Sequence, residues 1–333
     1  MSVVTTGFFD GVHLGHRHVL SAVVSSARER GEEAVVVTFW PHPRTVLQQD
    51  ARDFRILTSL EEKKTLLAAA GIDRVEVLPF TRAFAALTAA EYLALLREKF
   101  GATLVVMGYD NRIGSDRLTA VEICGFPTVA SQPLPLAGQW LPPSYTVEGD
   151  RGPGNHISPL PVIAVEPCHS ERSEESPISS TKIRKALEAG DVERANGMLG
   201  YDYELYGVVV AGNRLGRTIG FPTANMQLYE PLKLVPGNGV YAVDVEVLGR
   251  RYRGMCNIGT RPTVSGTART IETHILDFDE DIYGLPLRLQ FLRRIRDERK
   301  FPSLGALKEQ LVRDAASARG AFFCQRGRQG LAD

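Results

Sequence analysis

Two histidines stand three residues apart in the run Gly7-Phe8-Phe9-Asp10-Gly11-Val12-His13-Leu14-Gly15-His16. The run follows Val3-Val4-Thr5-Thr6, a short β-branched stretch that reads as a strand ending in a tight turn. After it, His16 to Arg30 carries apolar residues at helical spacing and stops at Gly31. A strand-to-helix junction is where α/β sheets bind ligands, and the free N–H groups of a helix start favour an anion. His13 and His16 could add donors to phosphate oxygens, and Gly7 and Gly15 would let the backbone approach a ligand. Asp10 falls within the same run. A metal pair and a polar surface pair are the alternatives to phosphate binding, and the strand-to-helix junction favours phosphate.

Three other stretches could join such a site. Ser179-Ser180-Thr181-Lys182-Ile183-Arg184 offers hydroxyls, an N-cap and two cations that could close over a triphosphate. On its own it reads better as an ordinary capped helix with a solvated basic face. Thr38-Phe39-Trp40-Pro41-His42-Pro43 ends a strand on the same sheet edge. Its prolines fix the backbone around His42, as a structural turn or a ligand contact.

A second cluster lies in the other half. Gly212 to Asn225 is rich in glycine, includes Gly220, and carries Arg214 and Arg217 as spare cations. Thr223 and Asn225 supply hard oxygen ligands suited to Mg²⁺. A glycine-rich hairpin is the plainer explanation. Glu272 lies in Ile271-Glu272-Thr273-His274-Ile275-Leu276, where alternation turns Glu272 and His274 to one side. If that side faces a cavity, Glu272 could accept a proton from a hydroxyl. A solvated strand carboxylate is the commoner case.

The elements around these residues divide the chain. A length of 333 residues suits two domains rather than one core. Strands at Ala34–Phe39, Val75–Leu78 and Leu104–Met107 alternate with helices, which predicts a doubly wound parallel sheet. From 118 to 177 the sequence is rich in Pro, Gly and Ser without sustained period. It reads as an insertion or linker, with one strand near Val162–Val165. After a helix from Ser179 to Leu187 and another from Val192 to Leu199, short strands follow. Tyr206–Val210, Gly239–Val247, Arg251–Ile258, Ile271–Leu276 and Leu287–Ile295 predict a small antiparallel barrel. Ser303 to Ala318 closes as an amphipathic helix. The expected boundaries are 1–187, 188–323 and a disordered tail, 324–333.

Composition narrows the partners. The 39 basic and 39 acidic residues cancel, leaving no overall field to draw in nucleic acid. Cys124, Cys168, Cys256 and Cys324 are far apart, with no zinc or dithiol spacing, which predicts free thiols in a reducing compartment. No apolar run reaches the ~18 residues of a bilayer span, and the start lacks signal-peptide features. A cytoplasmic protein acting on small molecules, not membranes or nucleic acid, is expected; no oligomer is indicated.

Taken together, the first ten-residue run, the Trp40-Pro41-His42-Pro43 turn and the Ser179–Arg184 segment resemble the bacterial bifunctional riboflavin kinase/FAD synthetase family. The second half carries further motifs in the order of that family's kinase domain: Gly220-Phe221-Pro222-Thr223-Ala224-Asn225, Gly239-Val240-Tyr241-Ala242, Asn257-Ile258-Gly259-Thr260-Arg261-Pro262-Thr263, Glu272 to Phe278, and Asp281-Ile282-Tyr283-Gly284. The resemblance implies a six-stranded barrel, and ATP, riboflavin, FMN and FAD as substrates or products, with Mg²⁺. It implies that His13, His16 and Asp10 line an ATP phosphate pocket, with Asp110 beside the nucleotide. His42 would sit near the flavin phosphate, and Ser180, Thr181 and Arg184 would form a phosphate clamp. In the second half Thr223 and Asn225 would meet Mg²⁺ and ATP. Glu272 would deprotonate the ribityl hydroxyl, and Asn257 to Thr263, with Arg261, would form a flap over the flavin. Fewer residues precede the first strand than the family usually carries, which predicts an unpaired sheet edge. Rival readings are a kinase alone, or a flavin-binding protein without catalysis.

Overall fold

The computed structural model describes residues 1–47, 54–108, 111–124, 160–165, 178–212, 215–263 and 266–329. Two compact units emerge, Met1–Phe54 with Leu60–Pro177, and Arg55–Ser59 with Ile178–Asp333.

The first unit contains β1 (Ser2–Thr6), α1 (Leu14–Arg30), β2 (Glu33–Trp40), α2 (Pro43–Leu47), α3 (Leu60–Ala69), β3 (Arg74–Pro79), α4 (Arg82–Ala85), α5 (Ala89–Phe100), β4 (Ala102–Gly108), α6 (Ala120–Cys124) and β5 (Val162–Val165). The sheet order is β3-β2-β1-β4-β5, and every pairing is parallel. Continuous apolar strands suit a sheet covered on both faces. Val3, Ala34, Val36 and Val106 pack one way, against Leu20, Val23 and Ala27 of α1 and Leu67 of α3. Val4, Val35, Val37 and Val105 pack the other way, against Tyr92, Leu93 and Leu96 of α5. The unpaired edge expected at the start is not found: β1 is central, bonded to β2 and β4. The strand expected at Val162–Val165 is β5, in register with β4 from Val105↔Val162.

The second unit contains α7 (Ser180–Glu188), α8 (Val192–Leu199), β6 (Glu204–Val210), α9 (Leu215–Thr218), β7 (Ala224–Leu228), β8 (Gly239–Val247), β9 (Arg250–Thr263), β10 (Gly266–Ile275), β11 (Pro286–Arg296) and α10 (Leu304–Gln329). Six strands close into a barrel, β10-β7-β6-β11-β8-β9. Ile183 and Leu187 of α7 and Val192 and Leu199 of α8 join the core of Leu205, Val243, Ile258, Ile271 and Phe291. Ala315 and Ala318 of α10 pack on the opposite wall face, against Val240, Ala242 and Met255. Arg296 of β11 pins α10 there through a 2.7 Å ion pair to Asp314, whose side chain is 1% exposed. Helix α10 continues past the amphipathic segment read from sequence. Among the described residues no helix is long and apolar enough to cross a membrane.

Candidate active sites

The first site is the turn between β1 and α1. Phe9 (φ 49°) and Val12 (φ 36°) hold left-handed backbone beside Gly11 (φ 85°). Such conformations cost roughly 1–3 kcal/mol each and concentrate at ligand clamps. The turn is anchored from two sides. The Gly7 N–H donates to the Val37 carbonyl at 3.1 Å, and the Thr38 hydroxyl donates to the Phe8 carbonyl at 3.3 Å. Behind it, Asn111 Nδ2 donates to the Thr6 carbonyl at 3.1 Å.

This turn brings the paired imidazoles together. His13 is the N-cap of α1, and its Nδ1 accepts the His16 N–H at 3.3 Å. That bond leaves the proton of neutral His13 on Nε2. The two rings stack at 3.6 Å between centroids. Asp10 and His13 are buried, Gly15 lies in the first turn of α1, and His16 Nδ1 is enclosed with no hydrogen-bond partner among the described residues. Burial, with the neighbouring His13 and Lys63, holds the His16 imidazole well below its ordinary value. At neutral pH His16 is therefore an uncharged ring with an orphaned polar atom, a fitting partner for a ligand oxygen.

His42 joins this group. Its ring lies 3.7 Å from Phe8 and 4.2 Å from Phe54 between centroids, and its Nδ1 accepts the Arg44 N–H at 3.0 Å. One participant was missed by the sequence reading. Lys63 of α3 is fully buried, with its ammonium 3.8 Å from the Phe8 ring centroid. The available signal was its place three residues after Leu60 and four before Leu67, on the stripe that α3 turns inward.

Ser180, Thr181 and Arg184 occupy the first half of α7, capped by Ser179, which accepts the Lys182 N–H. Helix α7 belongs to the second unit. There Arg184 Nε donates to the Arg55 carbonyl at 2.9 Å. Asp110 lies outside the described residues.

The second site is on the barrel wall. Strand β10 pairs with β7 on one side and β9 on the other, setting Glu272 opposite Asn225 and also opposite Asn257. Directly opposed residues of a ladder point to one face, so the three side chains form a row. The face is not the barrel interior. Ile271 and Ile275 turn inward to the core, whereas Met255, opposite His274, packs toward α10. A cavity of about 370 Å³ lies on this outer face, lined by Thr223, Asn257, Glu272, His274, Arg299 and Leu311 among others. His274 Nδ1–H donates to the Pro222 carbonyl at 2.8 Å. Burial lowers its pKa against that bond.

The glycine-rich segment is not a plain hairpin. It folds through the short helix α9, and Phe221 N–H returns to the Gly216 carbonyl at 2.8 Å. At Gly212 an added Cβ would fall 2.1 Å from Asn225 Nδ2, so glycine there makes room for the asparagine. Arg217 and Gly220 are exposed on this segment, and Gly220 needs its left-handed φ of 84°. Asn257 to Thr263 continues β9 rather than forming a loop; Arg261 pairs with Ala268 and Thr263 with Gly266 in the β9–β10 ladder. Of the cysteines, Cys256 is a buried free thiol, pushed up to about 12 mainly by burial, which makes it inert.

Residues 1–125 match the family model of FAD synthetase, and residues 199–322 that of riboflavin kinase. The chain is 35% identical over 320 residues to the bifunctional riboflavin kinase/FMN adenylyltransferase of Bacillus subtilis (strain 168), covering 95% of this chain and 91% of that protein. The chain belongs to the bifunctional riboflavin kinase/FMN adenylyltransferase family. Its Escherichia coli (strain K12) member is 36% identical over 329 residues, covering 96% of this chain and 92% of that protein. A crystal structure described as a macrolide-efflux protein from Streptococcus pneumoniae aligns with a TM-score of 0.80 and 33% identity, covering 96% of this chain and 94% of that one. Within this family the imidazole pair falls in the synthetase match and the Asn225–Glu272–Asn257 row in the kinase match.

Proposed function

We propose that the chain makes flavin cofactors in two ATP-dependent steps at two separate sites. The barrel phosphorylates riboflavin to FMN, and the parallel-sheet unit transfers AMP from a second ATP to FMN, giving FAD and pyrophosphate. The observation that carries the assignment of residues is the row Asn225–Glu272–Asn257, set by strand pairing, of which Glu272 and Asn257 line a cavity together with Thr223.

In the kinase step Glu272 takes the proton from the ribityl 5′-hydroxyl as its oxygen attacks the γ-phosphorus and ADP leaves. Asn257 and the β9–β10 hairpin, with Arg261 and Thr263, hold the flavin. Gly212, Arg217 and Gly220 serve the phosphates of ATP. Thr223 and Asn225 fit Mg²⁺: both offer hard oxygen donors, and the missing Cβ at Gly212 keeps space beside Asn225. A bound Mg²⁺ supplies neutralising charge for the phosphate oxygens.

In the adenylyl step an FMN phosphate oxygen bonds to the α-phosphorus of ATP, and the α–β bridge breaks to release pyrophosphate. His13 and His16, with the N–H groups at the start of α1, hold the phosphate chain in line. Gly7 and Gly15 permit close approach, and Asp10 lines the pocket. His42, wedged between Phe8 and Phe54, orients the flavin phosphate. Asp110 contacts the nucleotide. We assign residues 1–187 to adenylyl transfer and 188–323 to the kinase.

A time course with riboflavin, ATP and Mg²⁺, resolving the flavins, tests the reading. FMN should rise first and FAD follow at its expense. Conversion that stops at FMN, with supplied FMN also unchanged, would remove the adenylyl step.

A further inference from the structure

The family reading gives no task to Lys63. This side chain enters the first site from α3, the helix before β3, and is fully buried. Its ammonium has no hydrogen-bond partner among the described residues. It rests on the face of Phe8 at 3.8 Å from the ring centroid, and the carboxylate of Asp10 attracts it without outweighing its burial. A cation–π contact offsets only part of the cost of taking an ammonium out of water. A helix-surface lysine would ordinarily reach solvent along its flexible stem. This one is held inside by the packing of α3 on α1, which Leu67, Leu20 and Val23 secure.

The place where the ammonium ends suggests what it awaits. Phe8 belongs to the turn that leads into α1, and the charge of Lys63 is felt by His16. His16 Nδ1 is itself enclosed and unpartnered. Two orphaned polar groups thus meet at the start of one helix, whose first N–H groups favour anions. A ligand able to answer all of them must bring several anionic oxygens along a chain. Polyphosphate has that chemistry.

We propose that Lys63 is a further catalytic residue of adenylyl transfer, its ammonium donating to the phosphate chain of ATP at the start of α1. This rests on the assignment of adenylyl transfer to the parallel-sheet unit. Lys63 keeps its proton throughout: the α–β bridge electrons leave with pyrophosphate, and the ammonium stabilises that growing charge. Phe8 and Asp10 position the amine before ATP arrives, and the neutral state of His16 avoids crowding two cations into one turn.

The test uses the full chain with FMN, ATP and Mg²⁺, reading initial rates of FAD formation for wild type, Lys63→Met and Lys63→Arg. Far-UV circular dichroism and thermal melts of each preparation report folding of the parallel-sheet unit, and riboflavin phosphorylation reports the barrel. Lys63→Met should lower kcat/KM for ATP in FAD formation by about 10- to 100-fold, with FMN formation unchanged. Because burial brings Lys63 down to about 8, the wild-type kcat/KM should fall as pH rises through that value. Asp10 and His16 are the other titratable groups whose charge couples to the ammonium. The arginine variant, always charged, should recover part of the rate and lose the fall. A Lys63→Met chain that keeps the wild-type kcat/KM and pH profile overturns the proposal. If that variant does not fold, a wild-type profile that stays flat between about pH 7 and 9.5 overturns it instead. Wild-type protein that makes no FAD from FMN overturns the underlying assignment, a result distinct from an insensitive Lys63.

Discussion

Asn225 stands directly across the β7–β10 ladder from Glu272. The proposed metal and phosphate corner and the proposed base are therefore held by backbone pairing, not by a flexible loop. Their separation is set by the sheet itself, which is how a catalytic pair keeps its geometry between turnovers.

That arrangement depends on the empty space at Gly212. A methyl group there would lie 2.1 Å from Asn225 Nδ2 and 2.6 Å from its Cγ, so Gly212→Ala must push the asparagine out of line. We expect riboflavin phosphorylation to fall on the order of 100-fold, while FAD formation from supplied FMN continues. Steady-state assays of both reactions check this.

The outer position of the kinase cavity makes α10 part of its wall. Asp314 is buried against Arg296 and also accepts from Gln310 Nε2 at 2.7 Å. Asp314→Ala would strand a largely buried guanidinium, a loss of about 3–5 kcal/mol for such pairs. Chemical denaturation should show the second unit weakened. Kinase activity should drop, while adenylyl transfer in the other unit is retained.

Much of this was readable in advance. The parallel strands announce themselves because both faces are covered, leaving unbroken runs such as Ala34–Val37. The row around Glu272 was half legible: alternation puts Glu272 and His274 together, but not on which face of the barrel. That depends on α10, whose packing no local pattern records. Strand β7 escaped notice because Ala224 to Leu228 is short and half polar, and α9 lies among glycines that read as a loop. Lys63 shares the inward stripe with Leu60 and Leu67, but a lysine in a helix is ordinarily solvated, and that outweighs the spacing. The left-handed Phe9 and Val12 were equally hidden, since neither residue type favours that backbone.

His16 predicts an acid dependence of stability. Its folded imidazole titrates well below the ordinary 6.5, so the unfolded chain takes up this proton first as the pH falls. The stability that neutral His16 contributes above about 6.5 is then lost progressively toward its lower folded value. His16→Gln should flatten the loss below about pH 6.5, followed by urea denaturation at each pH.

Lys63 gives the same rise of stability with pH, in a more alkaline range. Its pKa is lowered from 10.5 to about 8, so the unfolded chain holds the proton more firmly. The burial penalty is full below pH 8 and is relieved as pH rises toward 10.5. Lys63→Met should therefore stabilise the folded chain near neutral pH by up to roughly 3 kcal/mol while impairing FAD formation. Thermal melts alongside the FMN assay would show a higher Tm in a poorer enzyme.

The central claim, two independent ATP-using sites on one chain, is tested most directly by resolving the products of Glu272→Gln, His16→Ala and their mixture. Given riboflavin and ATP, Glu272→Gln should leave riboflavin untouched yet convert supplied FMN. His16→Ala should accumulate FMN and stop, and the mixture should restore FAD. Loss of both reactions in either folded variant, or a mixture that yields no FAD, would contradict the account.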